Sequence, residues 1–182
     1  PYAEEVAAIA DILQGIENII NVSFVATSNV DLADIVFASV SEDTIGGSLG
    51  TSSPPGEDQN PRTGDWQSLV LVNRDASSMN GAVPDGLSPG GYDYITWLHE
   101  LGHDLGLAHP HDDGGSSTIF PGVSSAFNSY GTYSMNQGIF TTMSYNDGWV
   151  AGSGARGSSG VYQYGWQSTM MALDVATLQL LY

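Results

Sequence analysis

HELGHDLGLAHP, residues 99–110, decides how this chain is read. It has the form H-E-x-x-H-x-x-G-x-x-H-P. On a helix, His99 and His103 lie four residues apart on one face. Two imidazoles so placed can share one tetrahedral metal at about 2.0–2.1 Å. Glu100 is turned about 100° around the helix from His99, so it flanks the metal instead of ligating it. That is where a general base for an activated water belongs. Gly106 can end the helix in a left-handed conformation, and His109 can then return as a third ligand. Pro110 cannot extend a helix ladder. Three protein ligands with one open position is the pattern of a catalytic zinc site. A bare H-E-x-x-H arises by chance, and its histidines can sit satisfied in a core. Here Gly106 and His109 are also in place, and three of the chain's four histidines fall on the motif.

The 182 residues suit a single domain, 1–182, with room for a core. The chain starts at Pro1 and carries no apolar leader, as expected of a processed or excised piece. No run is long enough to span a membrane. Cysteine is absent, which removes disulfides and thiolate chemistry. Three basic residues against twenty acidic ones give a formal charge of −17. That argues against nucleic acid and anionic membranes as partners, and it leaves carboxylates free for calcium. Asp112, Asp113 and Asp147 are the loop carboxylates that could hold one.

Residues 3–20 predict a packing helix with Val6, Ile9, Ala10, Leu13 and Ile16 inward. Residues 22–27 and 33–40 read as strands. Residues 46–53, bordered by glycine and ending in Pro54–Pro55, suit a sheet edge. Gly47, Ser48, Leu49, Gly50 and Thr51 would then offer a peptide an edge to pair with; an ordinary hairpin loop is the alternative. SLVLVN, residues 68–73, is apolar on both faces and reads as a central strand. Asp93 is a candidate N-cap for a helix over 94–105. Its Ile95, Leu98, Leu101, Gly102 and Leu105 side packs inward and turns His99 and His103 to a cleft. Residues 111–166 are nearly all loop, and 168–182 form a closing helix on Met171, Val175, Leu178 and Leu181.

His109, Pro110 and the run Thr142–Met143–Ser144–Tyr145, taken together, resemble the metzincin zinc endopeptidases, most closely the serralysin catalytic domain. The resemblance covers essentially the whole chain. It implies an α+β metzincin-type zincin domain. Its parts are a twisted mixed sheet of about five strands with one antiparallel edge strand, a zinc-binding active-site helix, a Met-turn and a C-terminal helix. It implies His99, His103 and His109 as zinc ligands and Glu100 as general base. Met143 would form an apolar floor beneath the metal, with Asp174 supporting that turn. Tyr145 would ligate zinc at rest, then swing away to hydrogen-bond the oxyanion.

A secreted, extracellular, monomeric zinc endopeptidase acting on extended polypeptides follows from the same resemblance, with a protein inhibitor as a further candidate partner. Rival readings are a zinc-binding module without turnover and a metal-dependent amidase. The chain departs from the family at Asp104, expected either to face solvent or to perturb Glu100, and at His111, expected at the rim. The calcium-binding repeats of full-length serralysins are not in this sequence. Either they were removed or this is a minimal catalytic module.

Overall fold

The computed structural model describes residues 1–54, 56–76, 85–148 and 164–182. Pro55 and parts of two predicted loops lie outside the described residues.

Helix α1, Ala3–Glu17, opens with its first-turn Glu5 accepting from the Tyr2 N–H at 2.6 Å. It buries Ala8, Ile9, Ile12 and Ile16. The stripe is rotated from the predicted one: Val6 and Ala10 are exposed, and Ile12 takes an inward place. The helix ends three residues early at an Asn18 cap, and the Ile19 and Ile20 amides fold back on the Ile16 carbonyl.

Three strands form the sheet, in the order β1-β3-β2, with β1 Ile35–Val40, β2 Gly50–Ser52 and β3 Ser68–Asn73. Strand β3 is central, as its doubly apolar sequence predicts. It runs parallel to β1, pairing Ile35 with Ser68 and Val40 with Asn73. It runs antiparallel to β2, pairing Gly50 with Val72. Val70 and Val72 are wholly buried.

Among the described residues the sheet therefore has three strands, where about five were expected. Residues 22–27 form no strand. The Phe24 N–H goes to the Glu17 carboxylate at 2.6 Å, and Val25 is 89% exposed. A strand needs a partner edge, and this segment has none in the sheet, although Val22 and Phe24 pack half-buried against the core. The edge strand begins late for a local reason. Glu42–Ile45 forms a short helix, α2, and Gly46 and Gly47 follow at φ 65° and 81°. Left-handed residues cannot sit in a pleated ladder.

Helix α3, Tyr92–Asp104, is capped by Gly91, not Asp93, which lies buried in the first turn. Burial raises the Asp93 pKa to about 7, with help from the nearby Glu5 charge. Ile95, Leu98, Leu101 and Leu105 pack inward as predicted, beside Trp97 and Tyr94. The Tyr94 hydroxyl donates to Asp11 at 2.8 Å and ties α3 to α1.

Asp104 faces neither solvent nor Glu100. It is 2% exposed, beside Ser68 at the start of β3, and its buried Oδ1 has no hydrogen-bond partner among the described residues. Burial raises its pKa to about 6, an effect the nearby Ser68 hydroxyl partly offsets. It sits on the flank of α3 that packs on the sheet, where helical spacing from Leu101 carries it inward.

Helix α4, Ala172–Leu181, is shorter than expected and buries Asp174 and Leu178, while Leu181 is mostly exposed. The Leu173 N–H bonds to the Phe140 carbonyl, which docks α4 on the loop that precedes it.

Candidate metal centre

The end of α3 builds the first half of the site. Leu105 caps the helix and Gly106 follows at φ 95°. The Leu107 N–H reaches back to the Gly102 carbonyl at 2.9 Å and the Gly106 N–H to His103 at 2.8 Å. This 6→1 and 5→2 pair is a Schellman stop. The reversed chain points the Leu107 carbonyl at His103, which donates from Nδ1 at 2.8 Å. It also carries His109 back to the helix.

The three motif histidines meet there. His99 Nε2 lies 3.2 Å from His109 Nε2, and His103 Nε2 lies 3.0 Å from it. Each ring has an acceptor behind it at Nδ1. These are the Thr142 carbonyl for His99 at 2.8 Å, the Leu107 carbonyl for His103, and the Asp112 carboxylate for His109 at 2.6 Å. A carbonyl or carboxylate only accepts, so each Nδ1 must carry the proton.

Burial lowers the pKa of all three rings, His99 to about 3 and His103 to about 4, so they are neutral near pH 7. Every Nε2 is then a bare lone pair, and three lone pairs converge with no donor between them. Nitrogens on one tetrahedral zinc lie about 3.3 Å apart. The donor set, its spacing and its tautomers therefore fit a zinc ion, held by His99, His103 and His109.

Glu100 lies 7% exposed in the same cleft, and burial raises its pKa to about 8. A cation alongside acts in the opposite direction, toward the carboxylate. The cleft is lined by Ser48, Gly50, Thr51, Ser52, Pro54, His99, Glu100, His103, His109 and Tyr145. Of the predicted edge, Ser48, Gly50 and Thr51 thus reach the cleft, and Gly47 and Leu49 do not line it. An alanine Cβ at Gly50 would come within 2.5 Å of Glu100 Cγ, so Glu100 packs directly on the bare backbone of β2.

Met143 is buried beneath the site, its sulfur occupying the space a side chain at Gly102 would need, 2.7 Å from a Cβ there. Asp174 holds this turn. It accepts from the Thr141 hydroxyl at 2.6 Å and from the Thr142 N–H at 2.7 Å. The Thr142 carbonyl is the one behind His99, so α4 supports a histidine through the turn.

Tyr145 lies over the histidines, its ring centre 4.6 Å from that of His109 and 5.9 Å from that of His99. The Phe127 ring also lies beside it, at 5.3 Å. Burial raises the Tyr145 pKa, so its hydroxyl remains a donor.

The sequence singles out His111 and Asp112 but not the contacts they make, and it gives no sign of Asn146. His111 is not a rim residue; it is mostly covered and stacks on His109 at 4.9 Å. Asp112 faces His109 and His111, whereas Asp113 and Asp147 join no group of three ligating residues among those described. Buried Asn146 bonds to the Ala126, Ser129 and Asn136 carbonyls and accepts from the Asn128 N–H, which fixes the loop beside Tyr145. The spacing of Asp112, three residues after His109, was the one available signal.

No family model matches the chain. It is similar to the serralysin of Photorhabdus laumondii subsp. laumondii, 25% identical over 173 residues. The match covers 93% of this chain and 31% of that protein. The serralysin of Photorhabdus luminescens matches to the same extent. The chain thus spans about a third of the length of these curated relatives. The likeness is distant. Together with the histidine triad and the mixed α+β architecture, it supports a metzincin-like protease and is compatible with a zincin fold. Among the described residues no helix is long and apolar enough to cross a membrane.

Proposed function

We propose that this chain is the catalytic domain of a zinc-dependent endopeptidase that cleaves internal bonds of extended polypeptides. The observation that carries the reading is the set of three histidine lone pairs, fixed by their Nδ1 acceptors, converging beside a buried glutamate. Zinc bound there acidifies water and polarises a carbonyl.

The chain's own residues do the rest. His99, His103 and His109 would hold the metal, with Tyr145 as a further ligand at rest on the serralysin likeness. Glu100 takes the proton of the attacking water and passes it to the leaving amine. The Tyr145 hydroxyl, protonated at neutral pH, donates to the developing oxyanion. Strand β2 is the outer strand of the sheet, so a peptide can pair antiparallel along its free edge at Gly50–Ser52. Secretion, a monomeric state, a protein inhibitor and calcium binding are parts of the same proposal, drawn from the serralysin likeness.

The test uses casein and a quenched peptide library. Cleavage should be abolished by a chelator and restored by zinc, and Glu100→Ala should remove it with zinc still bound. Cleavage surviving both treatments would overturn the mechanism. A zinc-loaded protein that cleaves no unfolded substrate would favour a binding module instead, and cleavage of cell-wall fragments but not casein would favour an amidase.

A further inference from the structure

The three histidines are not held alike. His99 and His103 belong to α3, whose backbone hydrogen bonds fix their Cα positions, and each needs only a neutral carbonyl behind its ring. His109 lies beyond the Gly106 turn, on a segment with no regular structure. A ligand on such a segment has more freedom to lose when it binds a metal. It is also the ring with the stronger anchor. The Asp112 Oδ2 atom lies 2.6 Å from His109 Nδ1, within the range of a charge-assisted bond. The other oxygen of the same carboxylate is 3.6 Å from His111 Nε2. The His111 ring lies nearly parallel to His109, 17° between planes and 4.9 Å between centres. The Asp112 N–H also donates to the His109 carbonyl at 3.1 Å, closing the turn that brings the carboxylate round.

We propose that Asp112, backed by His111, is the positioning residue of the metal site: its carboxylate fixes the tautomer and orientation of the loop-borne ligand His109. A carboxylate behind an imidazole raises its basicity and pre-sets its angle. Loss of such partners typically weakens metal binding 10–100-fold. The inference rests on the zinc reading above and adds the prediction that affinity depends on a residue that touches no metal. His109 is then the ligand whose release sets how fast zinc leaves.

Asp112 suits a clean test because its side chain is 41% exposed and its replacement opens no cavity. Zinc affinity is measured for wild type, Asp112→Asn and Asp112→Ala by competition with a chromophoric chelator, alongside metal-free melting temperature. The alanine variant should bind zinc about 10–100-fold more weakly and release it faster. The asparagine variant keeps an acceptor oxygen without the charge and should fall between alanine and wild type. Metal-free melting should stay near wild type in both. Wild-type zinc affinity in Asp112→Ala would overturn the inference while leaving the protease reading intact. A loss of affinity matched by a loss of metal-free stability would also overturn it, since that is a folding effect. A wild-type protein that binds no zinc through these histidines would overturn both.

Discussion

The site is made of two unlike pieces. Helix α3 carries His99, Glu100 and His103 on a regular backbone. The chain from Gly106 to Tyr145 carries His109, Met143 and Tyr145 with hardly any regular structure beyond one 3-10 turn, Thr132–Ser134. In the helix, position follows from hydrogen bonds every residue makes to its own backbone. In the loop, each functional residue is held by a particular buried or partly buried side chain: His109 by Asp112, the Met143 turn by Asp174, the segment around Tyr145 by Asn146. A helix spreads its stability over many equivalent bonds. A loop of this kind concentrates it in a few polar groups, each costly to remove because its partners are then left unsatisfied.

The sharpest way to break this contrast is to remove one residue of each piece. Glu100→Gln should keep zinc and lower turnover about 10²–10⁴-fold, the usual size of a general-base contribution. His109→Ala should lose the zinc as well. Metal content by atomic absorption, read beside turnover, separates the two. If His109→Ala retained full zinc, the loop would not be part of the centre.

Next in size is Asp174→Ala. It removes the acceptor of two buried donors, the Thr141 hydroxyl and the Thr142 N–H. An unsatisfied buried donor costs about 1–3 kcal/mol, so melting should fall by several degrees. Because the Thr142 carbonyl backs His99, zinc affinity should fall with it. A variant that melts early but binds zinc normally would break the link between α4 and the metal.

Gly102→Ala tests the reverse dependence, of loop on helix. The new Cβ would meet the Met143 sulfur at 2.7 Å. Overpacking of this kind costs about 1–3 kcal/mol, and thermal denaturation should show the Met143 turn yielding while the far-ultraviolet helix signal is kept. An unchanged melting temperature would mean the turn is loosely packed.

A further effect lies in α3, on the side away from the histidines. Asp93 has its pKa raised to about 7, chiefly by burial. The folded protein therefore binds a proton that the unfolded chain releases near its ordinary value of 3.8. Stability from this residue should be full below about pH 4 and decline as the pH rises toward 7. Asp93→Asn should flatten that decline in melting curves taken across the range, and an equal slope in both proteins would contradict the assignment.

The same contrast explains what the sequence could and could not show. Helix α3 and its motif were legible because periodicity and the motif spacing are local properties. So was central β3, from its apolar run. The rotation of the α1 stripe was less so, since Val6 and Ile12 are equally apolar and only packing chooses between them. Residues 22–27 have strand composition, but a strand is defined by its partner, and Phe24 found a carboxylate instead. The late start of β2 was written in Gly46–Gly47, whose left-handed angles composition alone does not reveal. Asp104 misled because a charged residue on a helix usually faces water. In the loop, the candidate site residues were recognisable by resemblance, while the supporting bonds of Asp112 and Asn146 were not, because those bonds join residues that only the fold brings together.

The account's central claim is that helix and loop meet at one zinc ion. Zinc-edge X-ray absorption of the protein loaded with one equivalent tests it most directly. The account predicts three imidazole nitrogens at about 2.0–2.1 Å from the metal. Two imidazoles or fewer would contradict it.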